Sequence, residues 1–113
     1  MDILFYGDSN TWGFDPATCG RYPYEQRWTS ICAEILGENY HCMPAGMNGR
    51  TTIFDDPWKG CRNGIKGLDY ELQSHKPLDL CVVMLGANDD YIALCRKHFL
   101  EGRLHKDDPI KLQ

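Results

Sequence analysis

Apolar positions along this chain fall into two patterns that alternate. Residues 3–6, Ile-Leu-Phe-Tyr, form a short unbroken apolar run, as strands covered on both faces do. Residues 11–24 carry Gly13, Asp15-Pro16, Gly20 and Pro23 and read as loop. From residue 27 to 36, Trp28, Ile31, Cys32, Ile35 and Leu36 recur at helical spacing and predict a helix with one buried face. Gly37 closes it. A weaker strand is expected over 39–43, followed by turn-rich loops at 44–52 and 55–60. Ile65, Leu68 and Leu72 predict a second helix over 63–74, interrupted by Gly64 and Gly67. The strongest strand signal is residues 78–85, Leu-Asp-Leu-Cys-Val-Val-Met-Leu, expected to be the most buried strand. A last helix is expected over 91–104, ahead of a charged, frayed end containing Pro109.

Strands alternating with helices imply a parallel sheet with helices on its faces. In such sheets the ligand crevice lies beyond the carboxyl ends of the strands. The loops at 7–12, 45–52 and 86–89 all fall there.

Composition narrows the function classes. The 113 residues allow one small domain, 25% are charged, and the net charge is −4. Lys and Arg form no basic stripe, so nucleic acid is not an expected partner. No apolar run approaches the roughly 20 residues that span a bilayer, and no signal peptide is read at the start. The six cysteines, Cys19, Cys32, Cys42, Cys61, Cys81 and Cys95, show neither C-x-x-C nor zinc-finger spacing. They are expected to be free, mostly buried thiols of a cytoplasmic protein, with no metal and no cofactor.

Candidate chemistry sits in the three loops. Ser9 follows the first strand directly, flanked by Gly7 and Asp8. It can be a nucleophile on a tight turn, or a helix-capping serine. Asn48-Gly49-Arg50 can be a plain turn, or can offer the Gly49 N–H to an oxyanion with no side chain in the way. Arg50 is expected at the surface or paired with Asp55 or Asp56. Asn88, after Gly86, can cap its loop or aim an amide over the rim as a further oxyanion donor. Neither a Gly-x-Gly-x-x-Gly nor a Gly-x-x-x-x-Gly-Lys-Ser/Thr motif supports a phosphate- or nucleotide-binding module.

Gly7-Asp8-Ser9-Asn10, Gly49 and Gly86-Ala87-Asn88-Asp89, taken in order, resemble the first three blocks of the SGNH (GDSL-type) hydrolases. Thr11-Trp12-Gly13, Arg27-Trp28-Thr29, Arg50-Thr51-Thr52 and Asp55-Asp56-Pro57 are similar to the bacterial arylesterase and acyltransferase-like branch. The resemblance covers about residues 2–90. It implies a three-layer α/β/α fold with a flavodoxin-like parallel sheet, and a small acyl ester as substrate. By it Ser9 is the nucleophile, and its N–H, the Gly49 N–H and the Asn88 amide form the oxyanion hole. Asp8 holds the turn, and Asp8, Trp12 and Asn48 border the substrate, with Pro57 and Trp58 lining the cleft.

The family's later Asp-x-x-His block, which supplies the general base, has no counterpart among His41, His75, His98 and His105. The expectation is therefore an incomplete domain over 1–90, with about three of five strands, and a divergent tail over 91–113. Its activity would be impaired. The alternative is an inactive remnant that binds ligands or self-associates. The third strand, lacking a neighbour, is expected to leave an apolar edge open to a second copy of the chain.

Overall fold

The computed structural model describes residues 1–90 and residue 97. The expected helix over 91–104 and the tail, with Cys95, His98 and His105, lie outside the described residues.

Three strands form an all-parallel sheet: β1 (Asp2–Gly7) lies between β4 (His41–Gly46) and β5 (Leu80–Met84). The first strand is thus the central one, and Ile3, Leu4, Phe5 and Tyr6 are at most 3% exposed. Side chains alternate between the two faces of a strand. Phe5 meets Trp28 of α2 (Trp28–Leu36), ring centroids 4.9 Å apart, while the Tyr6 hydroxyl donates to the Gly64 carbonyl of α3 (Gly64–His75) at 2.7 Å. Helices therefore cover both faces of β1, giving the α/β architecture expected from the alternation. Burying these four side chains stabilises the fold by about 1.5–3 kcal/mol each.

The structure corrects the sequence reading in several places. Residues 78–85 do not make the most buried strand: β5 is on the outside of the described sheet, with Leu80 49%, Val83 52% and Met84 42% exposed. Apolar content marks a strand but does not say which strand is central. The 27–36 helix is present, but its apolar stripe is not a buried face. Ile35 is 80% and Ile31 46% exposed, because α2 lies along β4 at the edge of the sheet and only part of the stripe meets it. The second strand continues through Pro44 to Gly46. Proline is tolerated because β4 is an edge strand whose outward N–H has no ladder partner to lose.

The presumed loop 11–24 contains structure as well. A one-turn helix, α1 (Ser9–Trp12), is followed by a small hairpin of β2 (Phe14–Asp15) and β3 (Gly20–Arg21) and a 3-10 turn at Tyr24–Gln26. The five thiols among the described residues are free but not buried: Cys19 and Cys61 are exposed, and Cys32, Cys42 and Cys81 are half-buried. Gly64 and Gly67, read as interruptions of α3, let that helix close on the sheet. A Cβ on Gly67 would stand 2.7 Å from the Tyr6 hydroxyl oxygen.

Candidate active site

β1 ends at Gly7, and Asp8 caps α1: its Oδ1 accepts from the Asn10 N–H at 3.1 Å. Capping is thus performed by Asp8, leaving Ser9 as the first helical residue. Ser9 is 6% exposed, and its hydroxyl makes no hydrogen bond to a described residue. Helix α1 lies across the sheet rim because two glycines admit it. A Cβ on Gly46 would stand 2.2 Å from the Trp12 nitrogen, and one on Gly7 would stand 2.8 Å from the Thr11 Cβ, both in α1. Ser9 is thereby held over the carboxyl ends of β1, β4 and β5.

The second loop continues β4. The Met47 N–H donates to the Gly7 carbonyl at 3.1 Å, and the Arg50 N–H donates to the Met47 carbonyl at 3.2 Å. This four-residue turn requires a positive φ, and Gly49 supplies it at 81°. Asn48 is half-buried. Its main-chain carbonyl accepts from Arg62 Nε at 3.0 Å, and its side-chain oxygen is buried without a partner.

Arg50 is neither at the surface nor paired with Asp55 or Asp56, as the sequence had implied. It is 5% exposed, and Nη1 donates to the carbonyls of Gly7 at 3.0 Å and Ala45 at 2.7 Å. Its guanidinium carbon lies 4.0 Å from the Tyr6 ring centroid. Asp55 instead pairs with Lys66 at 3.1 Å, and Asp56 Oδ1 accepts from the N–H groups of Trp58 and Lys59.

The third loop is tied to the second. The Asn88 side-chain amide, 6% exposed, donates to the Arg50 carbonyl at 3.1 Å. The Asp89 carboxylate accepts from the Thr52 N–H at 2.9 Å and also from its hydroxyl. Neither Asp89 nor Thr52 stood out as a site residue in the sequence; their adjacency to Asn88 and Arg50 was the available signal. The structure therefore gathers Asp8, Ser9, Asn48, Gly49 and Asn88 onto one hydrogen-bonded rim. Trp12 stands at its side, with Arg21 4.4 Å above its ring and Arg21 Nε donating to its carbonyl at 2.8 Å.

Electrostatics follow from burial. Burial pushes the Asp8 carboxyl above its ordinary value and the Asp89 charge adds to the rise, against the N–H groups of Asn10 and Asp8 and the Arg50 guanidinium. Burial also lowers Arg50, opposed by Tyr6, Glu71 and Asp8. A cleft of about 590 Å³ opens beside this rim, between α3 and the 55–62 loop. Met47 and Arg50 line it, but none of the six predicted site residues does.

The described histidines are remote from Ser9. His41 pairs with Asp2 at 3.3 Å at the start of β1. The six-residue strand intervenes, which at roughly 3.3 Å per residue is about 20 Å. His75 pairs with Glu71 at 3.2 Å at the end of α3, where the chain turns back towards Asp79 and the same end of the sheet. Among the described residues no group of three or more His, Cys, Asp or Glu could hold a metal ion, and no helix is long and apolar enough to cross a membrane.

A parallel α/β sheet with a serine at the end of its first strand, faced by a glycine turn and an asparagine, defines a hydrolase-like rim. The GDSL-like lipase/acylhydrolase family model matches residues 5–106, and the chain belongs to that family. Among solved structures it is similar to a carbohydrate acetylesterase family member from Sinorhizobium meliloti. Identity there is 48%, covering 78% of this chain and 42% of that one, with a TM-score of 0.75. It is also similar to the native aryl esterase of M. smegmatis, at 41% identity over 78% of this chain and 43% of that one, TM-score 0.75. The inhibitor-bound form of that esterase gives 39% identity over 81% and 46%, TM-score 0.77. The chain thus spans less than half the length of each. Comparison with curated proteins finds no match.

Proposed function

We propose that this chain carries the nucleophile and oxyanion-binding part of a serine ester hydrolase of carboxylesterase or arylesterase type, with acyl transfer as a related outcome. Ser9 Oγ attacks the ester carbonyl carbon. Negative charge then develops on the carbonyl oxygen, and the Ser9 N–H, the Gly49 N–H and the Asn88 amide stabilise it. Collapse breaks the bond between the carbonyl carbon and the ester oxygen. The alcohol leaves with the proton that Ser9 Oγ gives up, carried through water, and the acyl group stays on Ser9. Water releases it as the carboxylic acid, or another alcohol accepts it. Asp8 fixes the turn that presents Ser9, and Trp12 and Asn48 border the substrate.

One observation supports the reading: the Asn88 amide is bonded to the Arg50 carbonyl while Met47 and Arg50 are bonded to Gly7, so the second and third loops are tied to the strand end that Ser9 follows. Family membership supports it. Serine is a weak nucleophile without a base, and the remoteness of His41 and His75 favours the alternative of an inactive remnant. In serine hydrolases stripped of the triad, roughly 10³–10⁴-fold acceleration over water persists from the oxyanion hole and binding.

Incubation with a short-chain activated aryl ester separates the two readings. Turnover that disappears in Ser9→Ala supports the enzyme, and equal rates in both proteins reject it for this chain. Two further parts of the proposal are self-association through the apolar outer edge of β5 and residence in the cytoplasm, where the free thiols stay reduced.

A further inference from the structure

We propose that Arg50 is the positioning residue of this site, setting the orientation of both the Gly49 N–H and the Asn88 amide relative to the strand end that carries Ser9. The inference rests on the Ser9 reading above. Arg50 is anchored in three directions at once. Both N–H groups of Nη1 are used, one on the Gly7 carbonyl at 3.0 Å and one on the Ala45 carbonyl at 2.7 Å. These carbonyls belong to the last register pairs of the sheet, Tyr6 with Ala45 and Gly7 with Gly46. The guanidinium plane rests on the Tyr6 ring, 4.0 Å from its centroid. The side chain therefore clamps β1 to β4 at the point where their ladder stops, two residues before Ser9.

The main chain of Arg50 carries this anchorage to the donors. Its carbonyl accepts from Asn88 Nδ2 at 3.1 Å. A side-chain amide has two N–H groups, so one is fixed by Arg50 and the other is left for an oxyanion in a set direction. Its N–H donates to the Met47 carbonyl at 3.2 Å and closes the turn in which Gly49 sits at φ 81°. Rotation of the Arg50 backbone would move both donors together. The charge is compensated by carbonyl oxygens and a ring face, a setting suited to the flat, weakly hydrated guanidinium and not to a compact ammonium. Arg50 also feels Asp8, which caps the nucleophile turn.

Arg50→Met and Arg50→Lys, made in the full chain, test this by two routes. The first is ¹⁵N NMR of the Gly49 amide and the Asn88 side-chain NH₂. The expected result is a shift of the Gly49 signal and loss of the distinct positions of the two Asn88 protons. The second is kinetics on an activated aryl ester, together with the rate at which a serine-reactive phosphonate labels Ser9. Here kcat and labelling fall roughly 10²-fold in Arg50→Met with KM unchanged, guanidinium ion added to the buffer restores part of the rate, and Arg50→Lys shows a smaller loss. Should Arg50→Met fail to fold, the Lys variant decides by the same signals. Wild-type NMR signals in a folded variant overturn the inference, as does a change confined to KM. If the wild type reacts with neither ester nor phosphonate, the Ser9 reading fails. The NMR signals then still decide whether Arg50 places the two donors.

Discussion

The side-chain amide of Asn88 is bonded to the main-chain carbonyl of Arg50 at 3.1 Å, although the two residues are 38 positions apart. A donor that could have swung freely on its loop is held by a neighbouring one. Asn88→Ala is expected to lower kcat for an aryl ester by about 10²–10³-fold with little change in KM, as loss of an oxyanion donor does. It should also cost about 1–3 kcal/mol in stability, because the buried Arg50 carbonyl loses its partner. Steady-state kinetics with Ser9→Ala as the blank, together with urea unfolding, check both.

Gly46 is the point at which α1 rests on the sheet. An alanine there would place its Cβ 2.2 Å from the Trp12 nitrogen and 2.7 Å from the Thr11 carbonyl carbon, backbone atoms that cannot rotate away. Gly46→Ala should destabilise by about 1–3 kcal/mol or more and displace Ser9. Gly37→Ala meets nothing within 4 Å and carries only the backbone strain of φ 89° with ψ −174°, about 1–3 kcal/mol. Thermal melts of the two variants, with labelling of Ser9, distinguish a general loss of stability from a displaced nucleophile.

Asp8 gives a pH dependence with a definite sign. Burial raises its folded pKa above the ordinary 3.8, so between these two values the folded state binds more protons than the unfolded. This contribution to stability is complete below 3.8 and is lost as pH rises through the folded pKa. Asp8→Asn retains a capping oxygen and should flatten the fall in unfolding free energy above pH 3.8. Asp8→Ala should lose about 1 kcal/mol of capping at every pH. Denaturant titrations across the acid range measure both slopes, and an Asn variant that keeps the wild-type slope counts against this assignment.

The outer edge of β5 presents Leu80, Val83 and Met84 to solvent. Self-association at micromolar concentration is expected in sedimentation velocity, and Val83→Lys should shift the chain towards monomer, since a charge on an edge strand opposes pairing. A wild-type monomer would rule this part of the proposal out.

Strand and helix types were legible where periodicity was long, as in residues 27–36 and 63–74, and the site loops were legible because each follows an apolar run. What was hidden depended on tertiary position. Nothing local in Leu-Cys-Val-Val-Met says that it lies outside Ile-Leu-Phe-Tyr, since order in a sheet is a property of pairing between distant segments. The apolar stripe of α2 could not announce that only part of it meets the sheet while Ile31 and Ile35 stay exposed. Arg50 was read as a surface charge because arginine usually is one. Its burial goes with the two main-chain carbonyls that accept from it at the end of the β1–β4 ladder, those of Gly7 and Ala45, groups that the side-chain sequence does not record. The one-turn helix at Ser9 was missed because four residues are too few to show a period.

The central place of β1 also governs the order of assembly. Its first residue meets partners 39 and 77 positions further along the chain. During synthesis β1 precedes both of its neighbours and finds the second only after residue 80 has followed. Such long-range pairing is the slow step of folding and keeps sticky segments exposed meanwhile. Ser9, mounted at the end of this strand, is therefore made before the two loops that face it and is put in place only once they have followed.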